Sequence, residues 1–426
     1  MESKRQKRFT FSEDWTATIT GGLIILLFVA AYTIFRIEPR WPAFRWENAN
    51  DLVAKVFALD NLWHTLIVFL FSFLCIFVAN LFQGKGIKSI AAYPVLFVLT
   101  FIAMTIGGAT LMRNWGLETV IFSLLIGLFI NNVFGVPEWV RGILNSELYI
   151  KIGLVLLGTS IIFGDILKAG TLGLIQSVIV VFGVWYFSFW LCKKMKIDKE
   201  MSMMLSSAVS ICGVSAAVAT AGAIKGDRKK LSYVVSLVLV VAMPMIVLMP
   251  LLAKLLGLDE IMAGAWIGGT IDTTGAVVAT GAMYGEKALE ISSIVKFSQN
   301  VLLGLAAFLI AIYWSYTNNK GNEYAEKPSL KIIWNRFPKF VLGFLLASLA
   351  FSFLLNPAEN KPMMDTLKKL QGLWFALGFT SIGMETNFKT LINNENRRAT
   401  LTFLGAQTFN IVFTLVVAYL VFGVKW

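Results

Sequence analysis

Apolar runs recur along almost the whole chain, at about 17–35, 62–82, 89–109, 118–135, 149–165, 172–192, 201–224, 231–253, 261–283, 290–314, 337–355, 370–386 and 400–423. Each approaches the ~20 residues an α-helix needs to cross a hydrocarbon core about 30 Å thick. Short polar stretches separate them, so the pattern predicts an all-α polytopic membrane protein. Two runs depart from the rest. Residues 201–224 hold Ser206, Ser207, Ser210, Gly213, Ser215, Thr220 and Gly222 among alanines. Residues 261–283 hold Gly268, Gly269, Thr270, Asp272, Thr273, Thr274, Gly275, Thr280 and Gly281. Small residues let straight helices approach closely. Non-helical backbone at membrane depth also occurs where it lines a cavity, so a site is expected in these two runs.

Composition supports the membrane reading: of 426 residues, 57% are hydrophobic and 15% charged, a balance that excludes water-soluble classes. The net charge of +12 lies in short loops, where it orients a membrane protein and needs no nucleic-acid partner. Cys75, Cys192 and Cys212 are too far apart for a disulfide framework or a thiolate site. The lone histidine, His64, stands beside Trp63 in an expected aromatic belt with Trp41 and Trp46, so no His-ligated metal site or cofactor is expected. Without a Walker-type loop, the energy for any transport comes from a gradient. An enzyme finds no nucleophile–base pair here, and Cys212 reads as a packing residue.

The basic loops constrain topology. Lys4, Arg5, Lys7 and Arg8 precede the first run in the layout of a signal peptide. The run is long for one and lacks a small-residue cleavage site, so it reads as the first membrane helix. With that end cytoplasmic, Lys85, Lys88, Lys193, Lys194, Lys196 and Lys199 fall inside. A full crossing by 201–224 would export Lys225, Arg228, Lys229 and Lys230, whereas a dip that returns keeps them inside. A matching dip by 261–283 from the outer side keeps Lys320, Lys327, Lys331, Arg336, Lys389, Arg397 and Arg398 inside and the C-terminus outside. The expectation is about eleven crossings plus two re-entrant or broken helices from opposite faces of a bacterial inner membrane.

Asp272 lies twelve positions beyond Glu260, or ~18 Å along a helix, near mid-membrane. Intramembrane acids are costly and pair, protonate or bind an ion, which points to proton or sodium coupling. Lys296, six positions past Glu290 and about 9 Å deep, either snorkels to the surface or faces Asp272 or an anionic solute. Gln299 and Asn300 need partners if buried. Broken helices offer N-termini to anions and freed carbonyls and hydroxyls to cations, which adds Ser210, Ser215, Thr270, Thr273 and Thr274. Asn131, Asn132 and Glu385 are weaker candidates, read more readily as helix-end polar groups. The phrases Leu157-Gly158-Thr159-Ser160-Ile161 and Leu377-Gly378-Phe379-Thr380-Ser381-Ile382 hint at an inverted-repeat transporter architecture.

At Ser210-Ile211-Cys212-Gly213 with Ala216 and Ala217, Gly269-Thr270-Ile271 leading into Val277-Val278-Ala279, Ile294-Val295-Lys296, Leu157-Gly158 and Gly383 with Thr386, the chain resembles the YeiH-like family of bacterial membrane proteins. The resemblance implies a transporter core over 86–426, with sulfate or a related sulfur oxyanion as exported solute. Residues 1–85, carrying two extra spans, lie outside it as an extension that serves a homodimer interface or scaffolds the core. The chain departs from the family at Asp272-Thr273, where a His-Glu pair is typical, and at Gln299, where an Arg is typical. Both changes disfavour a doubly charged anion. The expected function is secondary transport of a small anionic solute coupled to protons or sodium through Ser210, Cys212, Gly213, Ser215, Thr270, Asp272, Thr273, Thr274, Lys296 and Gln299. The alternatives are a passive ion channel and a cation/proton antiporter using Asp272.

Overall fold

A computed structural model describes residues 10–36, 39–114, 119–317, 331–355, 360–386 and 397–423. The N-terminal basic residues, Lys320, Lys327 and Lys389 lie outside the described residues. In chain order the main helices are α1 (Glu13–Thr33), α2 (Leu59–Phe82), α3 (Tyr93–Gly107), α4 (Thr119–Phe129), α5 (Ser146–Leu157), α6 (Phe163–Lys194), α7 (Lys199–Ser210), α8 (Val214–Ile224), α9 (Arg228–Leu255), α10 (Glu260–Thr270), α11 (Thr274–Tyr284), α12 (Glu286–Thr317), α13 (Lys339–Phe353), α14 (Lys361–Glu385) and α15 (Arg397–Phe422). Among the described residues seven helical stretches are long and apolar enough to cross a membrane: α1, α2, the stretch Lys88–Gly107 that ends in α3, α6, α9, α12 and α15. The protein is thus an all-α polytopic membrane protein, and leucines such as Leu26, Leu70 and Leu248 stand exposed on its helices, as lipid-facing side chains do.

The chain divides into two compact units, one of residues 1–163 with 339–387 and one of 164–338 with 388–426. The first contains α1–α5, α13 and α14. Here α5 and α14 run antiparallel: Ser146 Oγ donates to Glu385 at 2.6 Å, Ile150 abuts Gly378 and Phe375 covers Gly153. The two helices that carry the shared Leu-Gly phrases therefore point in opposite directions. Between α4 and α14, the backbones at Gly127 and Gly383 approach so closely that a Cβ on either would strike the other helix's main chain. α1 packs on α5 with Gly21 against Val155, and Lys151 Nζ ties it down through Glu13 at 2.6 Å and Asp14 at 3.0 Å, with Glu147 at 2.9 Å.

The second unit contains α6–α12 and α15, and both unusual runs are broken. α7 and α8 are separated by Ile211–Gly213, where Gly213 takes φ +60°, a conformation L side chains rarely adopt. α10 and α11 are separated by Ile271–Thr273, with extended backbone at Ile271 and Thr273, whose hydroxyl caps α11 by accepting from Ala276 N. Each pair returns to the side it left. At the mouth of the first, Lys230 Nζ reaches Asp198 at 2.7 Å and Glu200 at 3.3 Å. At the mouth of the second, Glu260 Oε2 accepts from Lys287 N at 2.7 Å and Ala288 N at 3.3 Å, and Tyr284 donates to Leu258 O.

Both runs are therefore re-entrant hairpins, α7–α8 and α10–α11. The 28-residue α9, about 42 Å long at the helical rise, joins the two mouths, so the hairpins enter from opposite ends of the unit. Their tips meet: a Cβ on Gly213 would lie 3.2 Å from Asp272 Cβ. The first mouth is strongly basic, with Lys225, Arg228, Lys229 and Lys230 joined by Lys193–Lys199 and, through the Tyr233–Thr400 hydrogen bond of 2.7 Å, by the start of α15 at Arg397 and Arg398. This grouping is the one the positive-inside rule requires and a full crossing would have broken.

Candidate functional site

Breaking two helices in the middle of an apolar unit releases carbonyls that lose their i+4 partners, and each buried carbonyl left unpaired costs about 1–3 kcal/mol. The unit answers with four polar side chains. Lys296 Nζ donates to Ile211 O at 2.6 Å and Ile271 O at 2.9 Å, and its third proton goes to Gln299 Oε1 at 2.7 Å. Gln299 Nε2 donates to Ser210 O at 3.0 Å and Gly269 O at 3.3 Å. Asn410 Nδ2 donates to Val209 O and Thr270 O, both at 3.1 Å, and Gln407 Nε2 adds a second bond to Thr270 O at 3.0 Å. Thr414 Oγ1 donates to Asn410 Oδ1 at 2.8 Å, which fixes the amide with its nitrogen toward the tips. The carbonyls of 209–211 and 269–271 are all capped, in matched sets.

Lys296 does not snorkel, and it attracts Asp272 across a gap without a hydrogen bond to it. It is 1% exposed, its three protons are committed to these acceptors, and no ion pair joins it to the acid. α12 starts at Glu286 rather than Glu290, so Lys296 is ten residues, about 15 Å, into its helix. This depth brings it level with both breaks. Its charge sits against the C-terminal ends of α7 and α10, each carrying about half a negative charge, so two helix ends balance one ammonium.

Asp272 is the opposite case. It is 1% exposed, and neither carboxylate oxygen has a hydrogen-bond partner. Thr270 Oγ1, Asn300 Oδ1 and Gln407 Oε1 are likewise buried without one. Asn300 uses its nitrogen on Thr274 Oγ1 at 3.2 Å. The region around the second tip therefore holds several buried side-chain oxygens without hydrogen-bond partners.

The remaining expected residues divide by accessibility. Gly213 and Cys212 are buried at the first tip, and Cys212 forms no disulfide. Ser210 is buried and turns its hydroxyl back to Ser206 O at 2.7 Å, so it contributes its carbonyl rather than its side chain. Ser215 is exposed, and Thr273, Thr274 and Gly275 are partly so. The N-termini of α8 and α11, with their free N–H groups, thus form the accessible side of the tips, and the polar cluster lies beneath. Asn132 and Glu385 belong to the first unit and bond helix ends there, Asn132 to Leu128 O and Thr386 O, Glu385 to Ser146. Asn131 is buried in that unit and His64 bonds within its own helix to Asp60 O.

Sequence reasoning passed over Gln407, Asn410 and Gln176, the last of which donates to Ala265 O at 2.7 Å. Amides spaced i, i+3 in an otherwise apolar run were the available signal. It also passed over an internal repeat at an offset of 60: Ile211, Ala216, Val218, Ala219 and Thr220 recur as Ile271, Ala276, Val278, Ala279 and Thr280. The two hairpins are variants of one element, inserted from opposite ends, and Asp272 occupies the position of Cys212.

A family model described as Conserved hypothetical protein 698 matches residues 63–402. UPF0324 membrane protein RB9488 of Rhodopirellula baltica is 39% identical over 378 residues, 86% of this chain and 69% of its own length. A UPF0324 membrane protein of Nitratidesulfovibrio vulgaris is 37% identical over 358 residues, 80% of this chain and 61% of its own length. UPF0324 membrane protein NE0724 of Nitrosomonas europaea is 26% identical over 490 residues, 100% of this chain and 97% of its own. The chain thus spans under two thirds of the Nitratidesulfovibrio protein. No solved structure matches.

Proposed function

Because the chain belongs to the family described as Conserved hypothetical protein 698, whose relatives are named only as membrane proteins, we propose from its geometry that it is a secondary transporter of a small anionic solute, coupled through Asp272. The observation that carries this reading is Asp272 itself, an acid with both oxygens unpartnered where two hairpin tips from opposite ends of one unit meet. A buried charge is maintained at that cost where an ion or proton visits it. The solute is placed on the accessible side of the tips, where the N-termini of α8 and α11 present N–H groups and partial positive charge beside Ser215, Thr273 and Thr274. Lys296 has no proton to offer it and Gln299 is neutral, so the site suits a monovalent anion better than sulfate. The basic mouth of the first hairpin faces the cytoplasm of the inner membrane.

Flux of a panel of monovalent anions and sulfate into reconstituted vesicles tests the proposal. Saturable flux that depends on a proton or sodium gradient and is lost in Asp272→Asn is expected. If Asp272→Asn and collapse of both gradients leave every flux unchanged, the reading fails. A second reading, cation/proton antiport, rests on the same acid, and gradient-driven cation exchange without anion flux would select it.

A further inference from the structure

The polar inventory around the tips leaves one carboxylate without a hydrogen-bond partner. Lys296 is balanced by the C-terminal ends of α7 and α10, each equivalent to about −0.5 elementary charge, and its three protons are spent on Ile211 O, Ile271 O and Gln299 Oε1. Neither oxygen of Asp272 accepts from the returning half-helices or from any side chain. The neutral groups nearby repeat the pattern. Thr270 stands two positions before Asp272, and Gln407 is held to its carbonyl. Asn300 is held to Thr274, two positions after Asp272. In both amides the nitrogen is engaged and the oxygen is free and buried. Most buried polar side-chain atoms in a folded core have a hydrogen-bond partner. Here the unpaired side-chain atoms around the second tip are oxygens, and two of them belong to the carboxylate of Asp272.

We propose that this shell is a sodium site, in which Asp272 supplies the charge and Thr270, Asn300 and Gln407 supply neutral oxygens. Hard cations take oxygen ligands of this kind. One carboxylate balances a monovalent ion, and among the described residues no group of three His, Cys, Asp or Glu exists that would suit a divalent metal. Thr270 and Asp272 are each 1% exposed, so an ion held there is shielded from bulk water. The inference rests on the transporter reading and names its coupling ion. It also orders the site: the cation sits beneath the tips, so its arrival neutralises Asp272 and removes the one charge that would repel an anion at the N-termini of α8 and α11.

Thermal unfolding of the purified, detergent-solubilised protein, titrated with NaCl against KCl and choline chloride at constant ionic strength and without added solute, tests this directly. A saturable rise in the midpoint with Na⁺, absent with K⁺ and choline, is expected. It should vanish in Asp272→Asn, and the half-saturating concentration should rise about tenfold or more in Thr270→Val and Asn300→Ala, as on loss of a supporting ligand. These two variants keep the carboxylate and serve if Asp272→Asn does not fold. An equal response in K⁺ or choline, or an undiminished Na⁺ response in all three variants, overturns the site. If Na⁺ has no effect while vesicle flux follows a proton gradient, the sodium assignment falls and the transporter reading stands. If Na⁺ binds as described but no solute moves, the site stands and the transporter reading falls.

Discussion

Lys296 and Gln299 bind the two hairpins into one object, and a double-mutant cycle measures how firmly. Lys296→Met removes the ammonium while keeping a flexible apolar stem, and leaves three acceptors unpaired: Ile211 O, Ile271 O and Gln299 Oε1. At about 1–3 kcal/mol each, the expected loss is about 3–9 kcal/mol, a large part of the 5–15 kcal/mol that holds a typical domain. Gln299→Met strands Ser210 O, Gly269 O and one proton of the buried ammonium, for a loss of similar size. In the double variant the mutual loss disappears, since the stranded amide oxygen and the stranded proton are both gone. Six groups are stranded across the two single variants and four in the double, so the two changes should fall short of additivity by about 2–6 kcal/mol. Stability of the four proteins in one detergent, by thermal or denaturant unfolding, gives the coupling. Strict additivity within about 0.5 kcal/mol would refute the shared cap and with it the account of Lys296 as a structural cation.

Further expectations follow from other contacts. Lys230→Ala removes the ion pairs at the first hairpin's mouth, but these are a third to a half exposed, so stability should change by no more than about 1 kcal/mol in the same unfolding assay. Gly213→Ala forces a side chain into φ +60° and against Asp272 and Val238. It should cost about 1–3 kcal/mol and, under the proposed site, weaken Na⁺ stabilisation beyond what a matched destabilising change elsewhere does. Gly127→Val should break the α4–α14 contact in the first unit, read as loss of a monodisperse peak in size-exclusion chromatography. With the native cysteines replaced by Ser, single cysteines at Lys194 and Lys229 should react with an impermeant maleimide from one side of the membrane and one at Leu256 from the other. Labelling of Lys229 and Lys194 from opposite sides would show α7–α8 to be a crossing.

The membrane class and the two special runs were legible in the chain because hydrocarbon imposes length and polarity on every segment separately; against the expected eleven or so crossings, seven helices among the described residues are long and apolar enough to span, and other apolar helices are shorter. The return of 201–224 to its own side was legible too, since four cations in a short loop are costly to export and that cost depends only on sequence. Asp272 stood out for the same reason: an acid at a computed depth needs no neighbours to be conspicuous. The partnerships were not legible. Which carbonyls Lys296, Gln299, Gln407 and Asn410 would meet depends on four helices far apart in sequence arriving at one level, and no local rule records that convergence. Lys296 shows the difference most clearly. From the chain alone it was a cation free to face the acid or a solute; in the fold its three protons are consumed by the ends of two broken helices, and the acid is left with none. The order of residues along the chain is enough to bury a charge at the second tip. Which charge is satisfied and which is not follows from the folded arrangement, because hydrogen bonding saturates and a donor engaged by one partner is lost to every other.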